Sequence, residues 1–272
     1  MPGGFGGFGL TEVEESLTAA GVPLVSAALP EGEQDQAWRA LREEHPRSGW
    51  WPVLTWMAPK AHAFSHDYSL VSQGPEALAL ALAEDPAEVM AELTLSQWEE
   101  WLDDTEPASR MEVWRDNFDV AALAAQLRPI ASPPPGRRRE APGLSPPPGR
   151  QREAPGRVLL VQAAAGYEVP VLVPGLIAPA NWSGGPSHAL LWPADHVAVL
   201  RLWHDRHGAD FFSAGGSSLE LSVSRPPTDP AEIARCALEQ YVYCDDLSQT
   251  LGGPIDVARK QVPADHWSFW WD

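Results

Sequence analysis

The sequence predicts an α+β protein, a mixed or antiparallel sheet with packed helices, and three observations carry that expectation. A duplicated proline-rich segment divides the chain. Before it, apolar residues recur mostly at helical spacing; after it, short alternating runs are interleaved with two well-signalled helices. The expected organisation is a mainly helical acidic region with a few strands over 1–131, a linker over 132–157 and an α+β domain over 158–272.

In the first region Thr11 and Glu14 have the spacing of a capping box opening a short helix. "VPLVSAAL" (Val22–Leu29) reads as a strand and Glu33–Pro46 as a helix ended by its proline. "GWWPVLTWM" (Gly49–Met57) reads as a strand that Pro52 pushes to an edge or a bulge. Helices are expected at Pro75–Glu84, Pro86–Leu93, Ser96–Asp103 and Asp116–Leu127. Trp98 and Trp101 share one face of the third of these, as core or as a binding surface.

The divider is a thirteen-residue unit copied in tandem, "SPPPGRRREAPGL" (Ser132–Leu144) then "SPPPGRQREAPGR" (Ser145–Arg157). It lacks the apolar content for a core and reads as an extended linker. Its charge is also opposite to its surroundings. Residues 1–131 carry 7 basic and 22 acidic side chains, 132–157 carry 6 and 2, and 158–272 carry 6 and 13, which accounts for the net −18. So acidic a surface argues against nucleic acid, which requires basic groups to displace counterions, and suits a basic protein partner. No apolar run approaches the ~18 residues of a membrane span, and the N-terminus lacks the pattern of a signal peptide. The expected setting is the cytoplasm, with no cofactor. Composition leaves the oligomeric state open.

After the linker, Arg157–Ala163 and Tyr167–Gly175 read as strands and Pro193–His207 as a helix. "ADFFSA" and "LELSVS" flank Gly215-Gly216 as a hairpin, with Leu219, Leu221 and Val223 alternating. Asp229 caps a helix through Tyr243, and "HWSFWWD" closes the chain as an aromatic strand. Adjacent Trp270 and Trp271 must face opposite sides of it, one side core and the other either under a helix or exposed as a contact surface. Cys236 and Cys244, eight residues apart on one helix, lie ~12 Å apart, too far for a disulfide.

Candidate chemistry concentrates in "HVAVLRLWHDRHGADFF" (His196–Phe212). At 100° per residue, His196, Val199, Leu200, Trp203, His204 and His207 share one arc. His196 and His207 are ~16 Å apart along the axis and cannot share a metal. His204 and His207, one turn apart, could chelate one, with Cys244 or Asp246 adding ligands. For covalent chemistry the same set supplies Cys244 as nucleophile, His204 or His207 as base and Asp246 as orienting group. The bland alternative is that these imidazoles bond to the domain's own interior.

The stretches "HVAVLRLWHDRHGAD", "LELSVSRPPTDPAEIARCALEQYVYCDD" and "WSFWWD" resemble the bacterial domain-of-unknown-function family 4253. That family is frequent in high-GC actinobacteria, with which 17 arginines against 2 lysines agree. "AWRALREEHPRSGWWPVL" looks like the region upstream of such domains. Where the family has proline after the cysteine, this chain has Asp245. The resemblance implies a compact cytoplasmic domain and brings no assigned reaction or catalytic residue. The leading expectation is a non-catalytic protein-binding module, immunity-type or regulatory, engaging a basic partner. The alternatives are a hydrolase-like enzyme using His204, His207, Cys244 and Asp246, and a small-molecule or metal-sensing domain.

Overall fold

The computed structural model describes residues 8–56 (except 19 and 31), 73–103, 119–127, 156–177, 183–184, 189–215 and 217–271. The tandem repeat, save its last two residues, lies outside them.

A seven-stranded mixed sheet organises the described chain. Its strands are β1 (Thr11–Leu17), β2 (Pro23–Ala28), β3 (Trp50–Thr55), β4 (Arg157–Gln162), β7 (Ala209–Gly215), β8 (Ser218–Val223) and β9 (His266–Trp270), in the order β1-β2-β4-β3-β7-β8-β9. The intervening β5 (Ser183–Gly184) and β6 (Ala189–Leu190) form a separate two-residue pairing. All neighbours in the large sheet are antiparallel except β3 and β7, which run parallel and register at Leu54↔Ser213. The sheet therefore draws three strands from before the proline-rich segment and four from after it. Arg157, the last residue of the repeat, is the first residue of β4.

Two cores follow from the pleat, because alternate residues face opposite sides. Val25, Ala27, Leu54, Val158, Leu160 and Phe212 face α1 (Gln34–Ser48), which contributes Trp38 and Leu41. Leu24, Trp51, Val53, Leu159, Val161, Phe211, Leu219, Leu221, Trp267 and Phe269 face the other way into the larger core. That side is covered by α3 (Pro86–Asp103), α4 (Val120–Ala125), α6 (Pro193–His207), α7 (Pro230–Tyr243) and α9 (Pro254–Lys260). The helix α2 (Gly74–Ala83) packs on α6. One helix on one face and a helical layer on the other make the α+β architecture that the sequence predicts.

Several local expectations are overturned. Thr11–Leu17 is a strand: Glu12 and Glu15 would repel one turn apart on a helix, and pairing with β2 supplies bonds that so short a helix cannot. The helix at Gln34 runs past Pro46 to Ser48 and stops at Gly49, which adopts the left-handed conformation (φ 72°) and donates to the His45 carbonyl. Pro52 lies in an interior strand: pairing with β7 is registered at Leu54, and the Pro52 carbonyl accepts the Trp38 indole N–H at 2.9 Å. The helices expected at Pro86–Leu93 and Ser96–Asp103 are one. Of the helix expected over Asp116–Leu127, residues 116–118 lie outside the described residues, and Val120–Ala125 is helical, capped by the Asp119 carboxylate. Tyr167–Gly175 is no strand. Pro170 and Pro174 would each remove a ladder donor, and the segment coils as a 3-10 turn (Gly166–Glu168), the one-turn α5 (Val169–Leu172) and a second 3-10 turn (Pro174–Ile177). The short α8 (Leu247–Thr250) and α9 carry no clear sequence signal.

Gly166 packs closely against the sheet. A Cβ there would stand 2.5 Å from Cζ2 of Trp51 and 3.0 Å from Cβ of Phe211. Trp51 cannot yield, since it is 1% exposed and its indole N–H donates to the Phe211 carbonyl at 3.0 Å. Gly166→Ala should therefore cost about 1–3 kcal/mol through overpacking, read as a lower urea midpoint with an unchanged slope; an unaltered midpoint would show that the loop moves aside.

Candidate functional site at His204 and Asp210

The site begins with a helix end. Gly208 caps α6 in the left-handed conformation (φ 60°, ψ 40°), donating its N–H to the carbonyls of His204 and Trp203. The chain reverses there and enters β7, which brings Asp210 back beside His204. Phe211 faces the larger core, so the pleat turns Asp210 toward the α1 side of the sheet, where Arg42 waits on α1.

The resulting contacts form a chain of four side chains. His204 Nδ1 lies 3.0 Å from Asp210 Oδ1, and Arg42 Nε donates to Asp210 Oδ2 at 3.0 Å. The Arg42 guanidinium in turn sits 4.1 Å above the ring of buried Trp51, a cation–π contact that fixes its plane. A carboxylate only accepts, so the imidazole must carry its proton on Nδ1, and a neutral ring then presents its lone pair on Nε2. The His204 side chain is 32% exposed, against 19% for Asp210, so the imidazole is the more accessible member of the pair. Tyr167 meets His204 edge to face at 5.4 Å. Burial, then the charges of Glu168 and Asp205, push the Tyr167 hydroxyl above its ordinary value, which keeps it a neutral donor.

The other residues singled out by sequence have separate partners. His207 is buried with its ring 5.6 Å from Trp267; burial first, then Arg206 and Arg225, hold it below the usual histidine range. His196 is buried and hydrogen-bonded through Nδ1 to the Tyr243 hydroxyl at 2.6 Å, and burial keeps the ring neutral. Cys244 ends α7, where its thiol donates to the Trp270 carbonyl at 3.2 Å; burial raises it well above the ordinary thiol value. Asp246 leads into α8 and accepts from Gln249 Nε2 at 2.5 Å. The expected quartet of His204, His207, Cys244 and Asp246 is thus distributed among different partners. The orienting carboxylate for His204 is Asp210, six residues along the chain. Among the described residues no group of three or more His, Cys, Asp or Glu side chains could hold a metal ion.

The tryptophans divide similarly. Trp271 is 2% exposed, while Trp270, on the opposite side, is only partly buried. Trp98 and Trp101 fall on α3, but their side chains lie outside the described residues. A second polar cluster, missed in sequence, lies on the α1-side face of β7–β9. Ser213 Oγ donates to Glu220 Oε2 at 2.8 Å, and His266 Nε2 is 3.4 Å from the same oxygen. Alternation of Leu219, Leu221 and Val223 already puts Glu220 on that face; only the fold shows it buried.

Comparison with known proteins concerns the region from β4 onward. Residues 157–272 match a family model described as Domain of unknown function (DUF4253). The C-terminal region, from the first residue of β4 to the end of the chain, thus bears out the resemblance read from its motifs. His204, Asp210 and Tyr167 lie within the matched region; Arg42 and Trp51, which complete the array, come from before it. No curated protein and no solved structure matches the chain. None of the described helices is long and apolar enough to cross a membrane.

Cys236 shares the buried state of Cys244, its thiol also raised by desolvation and by Glu239. A thiolate is the reactive species, so neither cysteine should react with a disulfide reagent in the folded protein at about pH 8, and both should react on unfolding. Prompt labelling of Cys244 in the native protein would restore it as a nucleophile.

Proposed function

We propose that the protein is a binding module for a basic protein partner, of the immunity or regulatory type, acting in the cytoplasm of a high-GC actinobacterium. The arginine bias supports that origin, and a net charge of −18 supports the partner's sign.

The observation that carries the reading is β1. It is one of the two edge strands of the described sheet, and Thr11, Glu12, Val13, Glu14, Glu15 and Leu17 are exposed along it. Alternate residues of a strand point to opposite faces, so exposure of consecutive residues means that neither face is covered there. Three carboxylates and two apolar side chains, Val13 (39% exposed) and Leu17 (58%), are thereby offered together. The register shift between Thr11 and Glu14 and the positive φ of Glu12 break the edge, so the strand presents side chains in preference to a backbone template. Arg157 partly neutralises Glu12, at 3.1 Å, and fixes where that carboxylate points.

Charge complementarity of this kind chiefly sets encounter rate and specificity, and salt screens it. The test is capture from the native host's lysate with wild type and a Glu12→Lys/Glu14→Lys/Glu15→Lys variant, at about 0.05 M and about 0.5 M salt. A basic partner retained by wild type at low salt, and lost both at high salt and with the variant, is expected. Identical retention by the two proteins would refute β1 as the contact.

A further inference from the structure

Arg157 is the last residue of the tandem repeat and the first of β4, so it shows where the repeat arrives on the fold. Its side chain crosses β2 to reach β1. Nε donates to Ser26 Oγ, Nη1 to the Glu12 carboxylate and Nη2 to the Glu12 carbonyl, each at 3.1 Å. The Arg157 side chain is 17% exposed against 71% for Glu12, so the guanidinium is set into the sheet with the carboxylate standing out beside it. One residue earlier, the Gly156 carbonyl accepts the Leu29 N–H at 3.0 Å, just past the end of β2. Thr11 and Arg157 both register with Ala28, which puts the end of the repeat at the Thr11 end of β1.

The first unit of the repeat has Leu144 where the second has Arg157, so the guanidinium on Glu12 occupies one of the two positions at which the units differ. The second unit also carries Arg150 and Arg152, among residues that lie outside the described ones. Arg152 is five residues before Arg157 and Arg150 seven, reaches of up to about 18 Å and about 25 Å for an extended chain. The edge from Thr11 to Leu17 is itself about 20 Å long. Glu14 registers with Ser26 and so shares the sheet face that Arg157 crosses, and Glu15 is exposed next to it.

We propose that the acidic edge of β1 is a docking surface for the second unit of this chain's own tandem repeat, with Arg150 and Arg152 pairing with Glu14 and Glu15 beside the Arg157–Glu12 pair. The repeat carries 6 arginines against 2 glutamates, and the residues before it 22 acidic against 7 basic side chains, so the signs are complementary. Arg157 selects β1 among the acidic surfaces, because it is the guanidinium of the repeat already seated there. With surface and occupant in one chain, the effective concentration is about millimolar. Each exposed pair is weak and screened by salt, so the docked repeat is readily displaced. One consequence rests on the binding reading: a basic partner at β1 must displace the repeat, which discriminates against weakly basic competitors. The docking itself requires no partner, so either idea can fail while the other stands.

The test uses the isolated full chain. Backbone amide spectra of wild type and Arg150→Gln/Arg152→Gln are compared at about 0.05 M and about 0.5 M salt. At low salt the two proteins should differ along β1, most at Glu14 and Glu15, and at high salt the differences should vanish. Trypsin supplies a second readout. Cleavage after Arg150 and Arg152, scaled to cleavage after Arg137 in the first unit, should be about threefold slower in wild type than in Glu14→Gln/Glu15→Gln at low salt, and equal at high salt. The amide comparison leaves β1 unsubstituted, so it decides the matter even where the glutamine variant does not fold. Overturning results are β1 amides indifferent to the loss of both arginines, differences that fall on another acidic surface, or equal trypsin rates in folded proteins at low salt.

Discussion

The placement of β4 governs the rest of the structure. Arg157–Gln162 lies between β2 and β3, antiparallel to both, with Arg157–Val161 registered against Ala28–Leu24 on one side and Arg157–Gln162 against Thr55–Trp50 on the other. Val158, Leu159, Leu160 and Val161 alternate between the two cores and are at most 1% exposed. Each would give up roughly 1.5–3 kcal/mol of burial without its surroundings. The strand that opens the family-matched region thus has both of its hydrogen-bonding neighbours before the proline-rich segment. The two sides of that segment are joined by a ladder in the middle of the sheet.

The same placement builds the candidate site. Registering β4 beside β3 sets Trp51 under the loop at Gly166 and in reach of the Phe211 carbonyl, while α1 carries Arg42 over the Trp51 ring. On the other side, the left-handed Gly208 returns Asp210 to His204. Asp210 is where the two supports meet, one oxygen taken from each side of the proline-rich segment. The geometry of His204 therefore depends on residues more than 150 positions away in sequence.

Much of this was legible in the sequence, and what was not has physical causes. Pro193–His207, the Asp229-capped helix to Tyr243 and the strands at 23–28, 209–215, 218–223 and 266–270 are strongly patterned, and they form where expected. Errors arose where a local signal met a tertiary one. The Thr11–Glu14 spacing imitates a cap, yet pairing with β2 decides the segment. The apolar run at Tyr167–Gly175 imitates a strand although its prolines forbid one. At the site, helical spacing correctly buried His196 and His207 but gave His204 the same face. Asp210 is visible in the sequence, six residues from His204, but only the left-handed turn at Gly208 makes it a neighbour. Arg42 carries no sequence signal toward this site, because its link to Asp210 is purely long-range.

The central claim is that β4 cannot hold its place without the strands that precede the proline-rich segment. The most direct measurement is thermal unfolding of residues 157–272 expressed alone, followed by circular dichroism beside the full chain. The account predicts that the fragment shows no cooperative transition, since β4 would be stripped of both neighbouring strands and of the α1 that covers Val158 and Leu160. A fragment that unfolds cooperatively at the full chain's midpoint would contradict it.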